Sequence, residues 1–226
     1  MRPAILLCFT LLSSFAWAQE DSDWIAYRDA YRQMIWFEKY GKPKQFLQNH
    51  YRLRPRDKNV TLDGVRLTLT TKTTQTSLTL DALGRATFPF SRAAYDDNAE
   101  LVVSRKAGQF SAGPWVSIVT RPDGIYSSAD LRTACDQLLA YLRYAGEDQG
   151  KSCAGVQFIY RRGEAVQVRF QAADGALMAL APKEGPAFSG DAVQNFRVIG
   201  YRFAALPEVG QVITSGTPLA ITALLE

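Results

Sequence analysis

The chain has 226 residues, a formal charge of +4, 47% hydrophobic and 21% charged residues, three cysteines and one histidine. That length holds one or two domains with a real core, and 16 glycines with 10 prolines exclude collagen-like or Pro/Gly-rich disorder. A single histidine argues against a His-built metal centre and against most histidine-driven catalysis. The chain starts with Met1-Arg2, an apolar run from Ala4 to Ala16, and Ala16-Trp17-Ala18 before the polar Gln19-Glu20-Asp21. This is the layout of a secretory leader cleaved near Ala18. The run is shorter than the roughly 20 residues a membrane-spanning helix needs. Cys8 sits inside it behind the bulky Leu7, which does not suit a lipid anchor. No later run is long and apolar enough for a transmembrane span, so the expected location is periplasmic or secreted.

Asp21 to Tyr40 reads as a helix. Trp24, Tyr27, Tyr31 and Met34 recur on one face, Asp21, Ser22 and Asp23 offer N-cap oxygens, and Gly41 with Pro43 ends it. A face this aromatic either packs onto a sheet or docks a partner, which makes Trp24, Tyr27, Tyr31 and Met34 the candidate docking residues. Residues 39–58 then read as a basic linker, in which Lys39, Lys42, Lys44, Arg52, Arg54, Arg56 and Lys58 stand against Asp57 alone. Its two readings are a solvated face and a contact for an anionic envelope surface, such as lipid headgroups, lipopolysaccharide phosphates or an acidic protein. Export argues against nucleic acid as the partner. His50, inside this stretch, reads as a surface-loop residue.

From Val60 to about Val119 the pattern is all-β. Val65, Leu67 and Leu69 alternate with polar neighbours, Leu78 and Leu80 follow a polar turn, and Ala86, Phe88 and Phe90 point one way with Pro89 marking an edge. Asp96-Asp97-Asn98 reads as a turn before the strands Leu101–Val103 and Trp115–Val119. Short alternating strands of this kind predict a β-sandwich. Within this stretch Leu80-Asp81-Ala82-Leu83-Gly84-Arg85-Ala86-Thr87-Phe88, followed by Leu101-Val102-Val103, resembles the turn and strand of prealbumin-like, carboxypeptidase-regulatory-type β-sandwich domains. The resemblance spans Val65 to Ala107. Leu80 stands where that family has Thr, and the family's later Tyr-x-Leu-x-Val is absent. The resemblance implies a non-catalytic binding or scaffolding module, and no functional residue carries over from it.

Arg121-Pro122-Asp123-Gly124 is a turn and the expected division between a part at residues 19–120 and a part at 125–226. Ser127 to Ala145 reads as a second helix, with Ser127 and Asp130 in a capping arrangement and Gly146 at the stop. Cys135 lies on this helix and Cys153 before the next strand. In an exported chain that pair predicts a disulfide. Strands Val156–Tyr160 and Val166–Phe170 flank Arg161-Arg162-Gly163-Glu164 as an expected hairpin. Leu177–Leu180, Phe196–Phe203, Val209–Ile213 and Leu219–Leu225 complete the count. The expected fold is therefore mainly β (α+β): a β-sandwich-like N-terminal part with one leading helix, then a disulfide-stapled helix with an antiparallel sheet.

Charge is uneven along the chain. Residues 19–124 hold 16 basic and 12 acidic groups and residues 125–226 hold 9 and 10, so an anionic partner is expected at the N-terminal part. No nucleophile–His–acid arrangement, phosphate-binding loop or metal-ligand spacing occurs; no catalytic residue, metal or cofactor is assigned. The expectation is an exported, non-enzymatic cell-envelope protein that binds a macromolecular partner or an anionic envelope component. Its alternatives are an enzyme acting on envelope glycans through paired carboxylates and a structural subunit of an envelope complex.

Overall fold

Backbone pairing, and not helix capping, decides how the described chain begins. The computed structural model describes residues 23–147 and 150–226; the expected leader, with Cys8, lies outside the described residues. Strand β1 (Asp23–Ala26) comes first, then helix α1 (Tyr27–Lys39) and β2 (Leu47–Pro55). Strands β3 (Leu67–Thr70), β4 (Gln75–Leu78) and β5 (Arg85–Ala86) lead to the short helix α2 (Arg92–Asp96). Next are β6 (Glu100–Val103), β7 (Phe110–Ile118), β8 (Ile125–Ser127) and helix α3 (Ser128–Tyr144). The chain closes with β9 (Cys153–Tyr160), β10 (Val168–Ala172), β11 (Leu177–Ala179), β12 (Pro182–Gly185), β13 (Phe196–Arg202), β14 (Gly210–Thr214) and β15 (Ala220–Leu225). With 38% strand and 20% helix in three antiparallel sheets, the fold is mainly β, of the α+β kind.

Four local expectations are corrected. Residues 23–26 are not helical: β1 pairs with β6, Trp24 opposite Val102, and so satisfies backbone groups that a first helical turn leaves orphaned. Residues 47–55 are not a linker: β2 pairs with β7 over its whole length, from Leu47 opposite Ile118 to Pro55 opposite Phe110. The stretch around Ala86–Phe90 leaves the sheet after Ala86, and Ser91 caps α2, its Oγ accepting the Ala94 N–H at 3.2 Å. Finally, β9 and β10 are not a hairpin. β9 lies between β13 and β15, β10 lies between β11 and β14, and the turn at residues 161–164 carries the chain from one sheet to another.

The sheets are β1-β6-β3-β4, β11-β10-β14-β8, and a seven-stranded one in the order β12-β13-β9-β15-β7-β2-β5. The large sheet takes strands from both sides of the turn at 121–124, so the expected division there runs through a shared sheet. Tyr27 and Met34 of α1, Tyr51 and Leu53 of β2, and Leu67 and Leu101 of the first small sheet form one core. Leu131 and Leu138 of α3, Phe158 of β9, Phe170 and Tyr201 form another. A third cluster lies on the opposite face of the large sheet, where Ile159, Val198 and Ala220 meet Leu83 and the loop residues Ala187 and Phe188. The two faces follow from the period-2 alternation of strands.

Helix α3 ends as its sequence dictates. The Ser127 Oγ accepts the Asp130 N–H at 3.0 Å. At the other end Gly146 takes φ +77°, the Gly146 N–H bonds Arg143 O, and the Glu147 N–H bonds Leu142 O, a Schellman stop. Cys135 on α3 is disulfide-bonded to Cys153 at the start of β9, as expected. No helix among the described residues is long and apolar enough to cross a membrane.

Buried tyrosines give the fold an alkaline limit. Burial pushes the Tyr141 hydroxyl up to about 12, with Glu147 and Tyr144 adding to it, and burial raises Tyr51 and Tyr160 further still. The unfolded chain ionises its tyrosines near the ordinary value of about 10. Protons are therefore held more tightly by the folded state, and stability falls as pH rises from about 10 through these elevated values. Urea midpoints are expected to drop between pH 9 and 11.5, and Tyr51→Phe is expected to flatten the drop; a midpoint independent of pH over that window would contradict this.

Candidate basic cleft

The alternation of β2 sends its odd and even residues to opposite faces. Tyr51 and Leu53 enter the core, whereas His50, Arg52 and Arg54 project from the other face of the large sheet. There Arg52, 4% exposed, forms a two-pronged salt bridge with Asp191, Nη1 to Oδ1 at 3.0 Å and Nη2 to Oδ2 at 2.6 Å. Its Nε donates to Leu83 O at 3.0 Å. Its guanidinium lies 4.7 Å from the Trp115 ring centroid and 4.5 Å from that of Phe188. Asp191 Oδ2 also accepts the Phe188 N–H. A charge pair removed from water in this way survives because each guanidinium nitrogen and each carboxylate oxygen has a partner.

The turn that carries the sandwich-domain resemblance forms a wall beside this pair. Asp81 Oδ1 accepts the N–H groups of Leu83 and Arg85, and Asp81 Oδ2 is bonded to the Arg85 guanidinium at 2.7 Å. Gly84, at φ +74°, lets the turn press onto β2: its O accepts the Leu53 N–H at 2.8 Å, and a Cβ at this position would lie 2.2 Å from Leu53 O.

Above the Arg52–Asp191 pair opens a cleft of about 270 Å³. Arg52, Arg54 and Lys58 line it from β2 and the loop after it, Arg161 and Arg162 from the turn between β9 and β10, and Asp191, Asn195 and Phe196 from the loop that leads into β13. Asp63 is the other carboxylate in the lining. Arg54 is half-buried, with Nε bonded to Ser111 Oγ at 3.0 Å. Arg162 meets Glu184 at 3.4 Å in an exposed pair, which screening makes weak. Lys58 and Arg161 have no carboxylate partner among the described residues. Since Asp191 is committed to Arg52, the cleft keeps a positive excess that is pre-arranged by the fold.

The residues expected to bind divide into three groups. Arg52, Arg54 and Lys58 come together at the cleft, Arg52 as a buried strut under it. Lys44 instead closes the C-terminal end of α1, where its Nζ bonds Phe37 O and Glu38 O. Arg56 donates from Nε to Phe110 O at 2.9 Å, and Lys39 and Lys42 are exposed outside the cleft. The aromatic docking face is not assembled: Tyr27 and Met34 are core residues, Tyr31 packs on Phe90 and Tyr95, and Trp24, 61% exposed, stands on β1 and not on α1. His50 is half-buried beside Trp115 on β7. Burial, and then Arg85, hold its pKa below the ordinary imidazole value against the opposing pull of Asp81.

Arg161, Arg162, Asp191 and Asn195 carry no expected binding role. For the two arginines the sequence offers one signal, a doubled cation in a polar turn, which also suits a hairpin; for Asp191 and Asn195 it offers none. Among the described residues no group of three or more His, Cys, Asp or Glu side chains is placed to hold a metal ion. Comparison with protein-family models, curated proteins and solved structures finds no match for this chain.

Proposed function

We propose that the protein is an exported, non-enzymatic binding protein whose basic cleft takes an anionic component of the cell envelope. The observation that supports this is the convergence of five cationic side chains on one concavity lined by two carboxylates, one of them locked onto Arg52. Such a site attracts anions by its field and orients them with charge-assisted hydrogen bonds. The disulfide is in keeping with an oxidising compartment. The sequence assigned the anionic partner to the N-terminal part; the cleft joins that part to the turn at residues 161–164.

The test is binding to vesicles that contain lipopolysaccharide or phosphatidylglycerol, against neutral phosphatidylcholine vesicles. Near an anionic surface each cation contributes about 1 kcal/mol, so Lys58→Gln/Arg161→Gln/Arg162→Gln is expected to weaken anionic-vesicle binding by about a hundredfold. Added salt is expected to weaken the wild type more than the variant. Lys39→Gln/Lys42→Gln, outside the cleft, is expected to bind as the wild type does. Equal losses from the two variants, or none from the first, would remove the cleft from the account.

A further inference from the structure

The lining of the cleft says more than its charge does. Its cations stand beside neutral groups with both donors and acceptors, Asn59, Thr61 and Asn195, and beside the apolar surface of Leu62, Val193 and Phe196. A site for a bare inorganic anion has no use for the second and third of these. A site for an extended polyanion would be a stripe of charge along a surface. Here the cations come from two distant segments and meet at one concavity of about 270 Å³, just below the roughly 300–1,000 Å³ of pockets that hold drug-sized ligands. That space suits one sugar ring with one phosphate.

We propose that the cleft takes a phosphorylated sugar unit, its phosphate held by Lys58, Arg161 and Arg162 and its hydroxyls by Asn59, Thr61 and Asn195, an assignment that rests on the reading of the cleft as an anion site. Arginine forks match phosphate oxygens in pairs, and lysine adds a mobile point charge. Amide side chains serve sugar hydroxyls, which both donate and accept, and the apolar surface of Phe196 suits the C–H face of a ring. The Arg52–Asp191 pair fixes the start of the 191–196 loop and the pairing of Phe196 with Gly185 fixes its end, so the backbone that carries Asn195 is anchored on both sides before the ligand arrives. The same chemistry is offered by a free sugar phosphate and by the phosphorylated sugar head of a glycolipid.

Calorimetric titration with glucose 6-phosphate, inorganic phosphate and glucose tests the assignment. Glucose 6-phosphate is expected to bind at least about tenfold more tightly than either of the others. Asn195→Ala is expected to reduce glucose 6-phosphate to the level of phosphate and leave phosphate itself unchanged. Arg161→Gln/Arg162→Gln is expected to weaken both anions. Both substitutions are at exposed positions, and a thermal melt matching the wild type checks that the fold is kept. Equal binding of glucose 6-phosphate and phosphate, both lost in the double variant, would overturn the sugar and leave the anion site standing. Binding of neither anion, or binding indifferent to the double variant, would overturn both. Vesicles carrying a phosphorylated disaccharide glycolipid separate the sources: their capture points to a glycolipid head and their neglect to a free sugar phosphate. Capture of phosphatidylglycerol vesicles in preference to glucose 6-phosphate would overturn the assignment.

Discussion

Arg52→Ala is expected to cost about 3–5 kcal/mol of folding stability, the cost of leaving one member of a buried ion pair without its partner. Asp191 is 6% exposed and would lose both guanidinium bonds, keeping only the Phe188 N–H and the turn geometry around it. Trp115 and Phe188, whose rings touch each other, would also lose the cation that lies against both, a contact worth up to about 2 kcal/mol when desolvated. Arg52→Lys is expected to recover only part of the loss, because an ammonium cannot reproduce the planar fork or the stacking. Arg52→Met with Asp191→Leu is expected to be more stable than Arg52→Ala, since it removes the unpaired charge and keeps volume. Urea midpoints of the variants check the series. A loss below about 1 kcal/mol for Arg52→Ala would mean the pair is not the buried strut described here. The same variant is expected to weaken anion binding as well, because Asp191 anchors the loop that supplies Asn195 and Phe196.

Cys135→Ser/Cys153→Ser is expected to lower stability by about 3 kcal/mol, the chain-entropy value for a crosslink across 18 residues. For a chain of this size that corresponds to a fall of about 6–12 °C in Tm. The fold is expected to persist, because Leu131 and Leu138 keep α3 on the same core as Phe158 and Tyr201. Thermal melts of the oxidised and the reduced wild type make the same comparison without a substitution. Identical melts would show that the bridge contributes nothing beyond the packing of α3. A protein that gains this much from its disulfide is better suited to an oxidising compartment than to the cytosol.

The elements that read most clearly from sequence were those whose signals were local. Helix α3 had its cap at Ser127, its apolar spacing and its stop at Gly146 in one continuous stretch, and the structure places it within a residue of the expected limits. The disulfide was legible as the two cysteines that remain beyond the leader expected at the start of the chain. What failed was what depends on distant partners. Asp21, Ser22 and Asp23 offered helical capping chemistry, and β6, about 75 residues on, took residues 23–26 as a strand instead. The β9–β10 turn had the chemistry of a hairpin, and only the pairing of each strand with others shows that it joins two sheets.

The cleft was half legible. In His50-Tyr51-Arg52-Leu53-Arg54-Pro55-Arg56 the arginines alternate with apolar residues, which is the period of a strand buried on one face. The density of charge suggests a linker, and the alternation outweighs it. The alternation alone would have placed Arg52 and Arg54 together on one face; nothing local could have brought Arg161, Arg162 and Asp191 to them. The separation between Arg52 and Asp191 is 139 residues, and pairing across such a distance is a property of the whole sheet.

Where an anion binds is the question that decides the account. Amide chemical shifts of the isotope-labelled protein, followed as inorganic phosphate is added, answer it residue by residue. The account predicts perturbations concentrated in residues 52–63, 161–164 and 191–196, and lost together in Arg161→Gln/Arg162→Gln. Perturbations centred on residues 39–44, where the basic stretch leaves α1, or scattered over the surface without focus, would contradict it.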